Sequence, residues 1–84
     1  MTKAEEMAAA AEGRGCLGRS QDDEPVFVLV ARDRFAASTV RNWAQDVMAA
    51  TGKTIDDPKI GEALELAARM DTWRENHGGG KVPD

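Results

Sequence analysis

Three arginines and a tryptophan, Arg32, Arg34, Arg41 and Trp43, stand within twelve residues of one another. Arginine forks grip phosphate in two-point contacts and an indole stacks on a base, so this set points to nucleotide binding if an oligomer brings several copies together. A plainer reading competes. Trp43 falls on an apolar helical stripe, and the arginines have acidic neighbours with which to pair. A second cluster is acidic: Asp22, Asp23 and Glu24 in one turn, Asp56 and Asp57 in another. Consecutive carboxylates lack the alternating ligand spacing of a calcium loop, so they read as solvated charge or as a surface for a basic partner.

Nucleophilic chemistry finds less material. Cys16 and His77 are the single cysteine and histidine, 61 positions apart, with no neighbour in sequence to activate either. Ser38 and Thr39 read as ordinary polar-face residues of a helix. The glycines of GRGCLG, at 13, 15 and 18, spell GxGxxG, but that pattern cradles a pyrophosphate only between a strand and a helix of a βαβ unit. Here a helical stretch precedes it and a polar turn follows. The expected outcome is no enzyme, no cofactor and no metal site.

These side chains need elements to hold them. Thr2 and Glu5 have capping-box spacing ahead of KAEEMAAAA, which predicts a short helix over 3–12 with a thin apolar stripe. The glycines end it. Residues 16–20 are candidates for a short strand, SQDDE is a turn, and Pro25 leads into VFVLVA, whose β-branched and aromatic residues predict a strand over 26–31. A lone strand leaves its backbone groups unpaired. It must form a hairpin with residues 16–20 or pair with its equivalent in another subunit.

Asp33 then reads as an N-cap, and Phe35, Ala36, Val40, Trp43, Ala44, Val47 and Met48 form one face of a helix closed by Gly52. Asp57 with Pro58 starts a second helix, where Ile60, Ala63, Leu64, Ala67, Met70 and Trp73 share a face as far as Asn76. The short connection between the two predicts an antiparallel pair. The expected fold is α+β and helix-dominated: one strand or short β-hairpin, then an antiparallel two-helix hairpin, with a short N-terminal helix. Residues 1–15 are an N-terminal helix and Gly-rich linker, 16–76 a single small globular domain, and 77–84 a flexible C-terminal tail.

With 84 residues, 11 basic against 15 acidic side chains and a net charge of −4, the chain is small and disfavours generic binding to nucleic acid. One cysteine permits no internal disulfide, so self-association as a dimer or higher oligomer is the remaining stabiliser for a small core. No long apolar run and no leader-like N-terminus are evident, which predicts a soluble, cytoplasmic protein with no membrane partner.

EPVFVLVARD, the later VRNWA, EALELAARMDTW and the closing KVPD together resemble small accessory proteins encoded by tailed bacteriophages and prophages. The likeness runs from Cys16 to Trp73 and into the tail. It departs from that pattern at Val30, where an arginine is expected. The resemblance implies a phage accessory protein, and by analogy one that counters bacterial immunity. The leading expectation is a non-enzymatic inhibitor that binds a host defence protein, for example a CRISPR component, through its acidic residues or a strand edge. The alternatives are an oligomeric sponge holding a cyclic nucleotide messenger on Arg32, Arg34 and Arg41, and a structural oligomeric phage protein.

Overall fold

The computed structural model describes residues 1–80; the final KVPD of the expected 77–84 tail lies outside the described residues. Four helices succeed one another: α1 (Lys3–Ala11), α2 (Gly15–Arg19), α3 (Ala36–Thr51) and α4 (Pro58–Asn76). α3 and α4 pack as a helical hairpin, while α1 packs on α2 as a bent N-terminal unit; no helix of one pair contacts a helix of the other. No helix among the described residues is long and apolar enough to cross a membrane.

The α+β expectation is therefore corrected to an all-helical fold. Among the described residues there is no strand, only an isolated bridge position at Asp33. The first reason is the fate of residues 16–20. They are not a hairpin arm but the helical turn α2, folded onto α1. Gly13 and Gly15 take positive φ angles of 71° and 75° to stop one helix and start the next. Gly18 lies so close to α1 and the turn after it that a Cβ there would meet the Gly13 carbonyl carbon at 2.8 Å and Ala10 Cα at 3.1 Å. The GxGxxG spacing thus serves a tight helix reversal rather than a phosphate.

Gly18→Ala is expected to undock α2 at a local cost of about 1–3 kcal/mol. Amide exchange would quicken across α1 and α2 and leave the α3–α4 hairpin unchanged.

With its hairpin arm gone, residues 25–30 belong to no helix and, among the described residues, have no strand partner. β-branched residues favour an extended chain, but a ladder needs a second strand. The segment packs on the helices instead. Leu29 and Ala31, with Val40 and Leu66, lie against the buried cluster Ala36, Ala37, Ala67 and Met70.

The helical hairpin follows the predicted pattern closely. Asp57 Oδ1 accepts from the Lys59 and Ile60 amides at 3.1 and 3.3 Å, and Pro58 occupies the first turn. Gly52 ends α3 in the left-handed conformation, φ 73°. Ile60 is the one large side chain fully buried among the described residues. The remaining core is mostly alanine, which lets the two helices approach closely. The start of α3 is later than expected. Phe35 is the cap residue, and Asp33 Oδ1 accepts its amide at 2.8 Å one step before the helix proper.

Candidate binding surface

Tyr is absent from the chain and large apolar side chains are few, so their placement is informative. Phe27 is 85% exposed, Val28 71% and Val26 56%, and Val30 is also exposed. All four belong to the segment of residues 25–30. Leu29 and Ala31 pack against the helices; Phe27 does not. Among the described residues, the N–H groups of residues 26–29 find no backbone acceptor. The segment therefore combines apolar side chains with amides that find no backbone acceptor among the described residues, while the Val30 carbonyl accepts from the Asp33 amide at 3.0 Å.

A polar clasp fixes the C-terminal end of this segment. Asp71 on α4 accepts from Arg41 of α3 and, at 2.9 Å, from Arg74. Arg74 also donates to the Arg34 carbonyl at 3.0 Å, which ties the turn before α3 to α4. Its own carbonyl accepts from the Gly79 and His77 amides. The clasp holds the Asp71 carboxyl below its ordinary value, chiefly through the hydrogen bond from Arg41 and against the opposing effect of desolvation.

A carboxylate whose folded-state pKa is depressed adds stability above its unfolded value, and that stability is lost as pH falls through the folded one. Asp71→Asn is therefore expected to melt below wild type at neutral pH, with the difference shrinking as pH drops below about 4. Thermal melts of the two proteins between neutral pH and strong acid would show it.

Beside the clasp, Trp73 and His77 stack with ring centroids 3.8 Å apart and planes 8° from parallel. With Arg32, Gly78 and Gly80 they line a shallow, open cleft of about 260 Å³.

The sequence-predicted residues are distributed as follows. Arg41 is committed to Asp71, Arg34 lies over the Phe35 ring at 5.5 Å, and Arg32 is exposed on the cleft wall. Trp43, expected in the core, is 42% exposed, while the neighbouring Ala44 is fully buried. Trp73 is 44% exposed. Asp22, Asp23 and Glu24 form an exposed turn in which Glu24 accepts from the Gln21 amide at 3.0 Å. Asp56 is exposed, whereas Asp57 is occupied as a helix cap and pairs with Lys53 at 3.6 Å. Cys16 is exposed on α2, and the His77 ring is taken up by Trp73. No group of three or more His, Cys, Asp or Glu among the described residues is arranged to hold a metal.

Searches against protein-family models, curated proteins and solved structures found no match. The surface must be read from its own chemistry.

Two of its features had no signal in the sequence. The Arg41–Asp71 pair joins residues 30 positions apart, beyond any local pattern. The exposure of Phe27 depends on which residues of the run meet the helices, which the apolar run does not encode.

Proposed function

We propose that this protein is a small non-enzymatic accessory protein of phage type that acts by binding another protein through the segment of residues 25–30. The observation that carries this reading is Phe27, 85% exposed in a segment that belongs to no helix. An apolar side chain of that size commonly dominates an interface when it enters a pocket, and the amides of residues 26–29, without a backbone acceptor among the described residues, can donate to a partner. The resemblance to phage accessory proteins directs the target towards a host defence component, such as a CRISPR-type effector. Asp22, Asp23 and Glu24 in one turn and Asp56 and Asp57 in another would supply negative charge that speeds encounter with a basic groove. A nucleotide sponge draws less support, because Arg41 is engaged by Asp71 and leaves Arg32 and Arg34 to share that task.

The test is a binding and inhibition assay against a panel of purified bacterial defence effectors. Wild type is expected to bind and inhibit one of them, and Phe27→Asp to weaken that binding about 30- to 100-fold with its melting temperature unchanged. Inhibition by Phe27→Asp equal to wild type would overturn the role of the segment. Neutralising Asp22, Asp23 and Glu24 should slow association at low salt and matter little at high salt.

A further inference from the structure

We propose that the Phe27–Val28 peptide bond is a site of limited proteolysis, open to an endopeptidase whose specificity pocket takes a large apolar side chain, and that its hydrolysis parts the chain into an α1–α2 piece and an α3–α4 piece. The cut itself does not depend on the docking role of Phe27; its effect on binding does, and rests on the reading above.

An endopeptidase must draw several residues on either side of the scissile bond into its cleft, which a helix or a packed core prevents until it opens. Residues 25–29 present no such obstacle. They belong to no helix and lie between two small turns, one closed by the Glu24 amide on the Gln21 carbonyl at 3.1 Å and the other by the Asp33 amide on the Val30 carbonyl at 3.0 Å. Between those turns, the N–H groups of residues 26–29 find no backbone acceptor among the described residues. Phe27 and Val28, which share the bond, are the two most exposed large apolar side chains among the described residues.

Other side chains that would suit the same pocket are guarded. Phe35 caps α3: its amide donates to Asp33 Oδ1 at 2.8 Å, and its carbonyl accepts from the Ser38 and Thr39 hydroxyls at 3.0 and 2.8 Å. Leu17, Trp43 and Trp73 lie within helices, and Leu29 packs on the cluster of Ala36, Ala37, Ala67 and Met70. Ile55 lies inside a turn closed by the Asp57 amide on the Thr54 carbonyl at 3.0 Å. Cleavage at these positions waits for a helix, a turn or the core to open; cleavage at Phe27 does not.

The bond also lies on a seam. α1 and α2 contact each other and neither α3 nor α4. Among the described residues, no hydrogen bond or ion pair joins residues 1–27 to residues 28–80. The half-buried apolar side chains on the buried cluster, Leu29, Ala31, Val40 and Leu66, all follow the bond. In hydrolysis water adds across the amide, its hydroxyl to the Phe27 carbonyl carbon and its proton to the Val28 nitrogen, and at neutral pH the new carboxyl group gives its proton to the new amine. Two charges then stand in what was an apolar run. The N-terminal piece leaves with Phe27, while the hairpin keeps its core, the clasp of Arg41, Asp71 and Arg74, and the Asp57 cap.

The test is dilute chymotrypsin, whose specificity pocket is an apolar slot, acting on the full chain and followed by intact-mass spectrometry. The first products should be residues 1–27 and 28–84, with cuts after Trp43 and Trp73 at least about tenfold slower. Phe27→Asp, at a largely exposed position, should keep the fold and slow the first cut more than about tenfold. Ile60→Val loosens the hairpin and should quicken the later cuts while the first stays within about twofold of wild type. Gel filtration of the digest should elute the two pieces apart, and the hairpin piece should melt within about 5 °C of the intact chain. A first cut elsewhere, a Phe27→Asp rate equal to wild type, a first cut that quickens with Ile60→Val as much as the later ones, pieces that co-elute, or a hairpin piece without a melting transition would overturn the proposal. A protein cut at Phe27 that still inhibits its target at the uncut level supports the cleavage site and overturns the docking reading. A chain that stays uncut at Phe27, and whose Phe27→Asp variant nonetheless loses its target, overturns the cleavage site alone.

Discussion

Replacing Ile60 with alanine is expected to remove most of the cooperative thermal transition of this protein. Ile60 is 1% exposed and is the one large side chain completely enclosed among the described residues. Truncating a buried isoleucine costs about 2–5 kcal/mol, the removed hydrocarbon and the cavity both contributing. A core this small commonly supplies only ~3–5 kcal/mol of net stability. A fall in melting temperature of at least ~10 °C is therefore expected, or loss of a resolvable transition, followed by circular dichroism. Ile60→Val keeps most of the volume and should lose about 0.5–1.5 kcal/mol. Equal melting of Ile60→Ala and wild type would mean that the hairpin is not held by its first α4 turns.

Ala67→Leu should be almost as damaging for the opposite reason. Ala67 is fully buried and belongs to the cluster formed with Ala36, Ala37 and Met70. Three alanines in that cluster set a close helix–helix approach, and a leucine must force the helices apart or leave its preferred rotamer. The expected cost is about 1–3 kcal/mol. Leucine and alanine are both good helix formers, so the helix itself is not weakened by the change. Ala68→Leu supplies the control: Ala68 is exposed on the neighbouring face, and its variant should melt within about 0.5 kcal/mol of wild type. The contrast between adjacent positions isolates the packing term, and both melts are read by the same spectrum.

The helical hairpin was legible because its signals are local. Asp57 followed by Pro58, Gly52 after a periodic run, and the spacing of Ile60, Ala67 and Met70 each act within a turn or two, and each has the expected role in the structure. The strand was misread for a reason equally physical. Val26 to Val30 has the composition of a strand, but strand formation depends on a partner supplied from elsewhere, and GCLGR had a better option in packing against α1. Gly18, met in sequence as part of a motif or a helix stop, is a point of close contact. On the candidate surface, the arginines were visible as residue types but their partners were not. The carboxylate that claims Arg41 lies on the other helix, and helix pairing had to be known before that contact could be drawn.

The unpaired apolar run also carries a hazard. Five consecutive uncharged residues rich in β-branched side chains, Val26 to Val30, have the composition of segments that stack into cross-β fibrils when many chains meet. The residues around them work against such growth. Pro25 denies a backbone donor at one end, and Asp22, Asp23 and Glu24 on that side with Arg32 and Arg34 on the other act as gatekeepers. In the parallel, in-register stacks typical of fibrils, each of these charges would lie against its own kind on every successive chain. The flanking charges thus oppose endless stacking, so substitutions at these positions bear on solubility as well as on recognition.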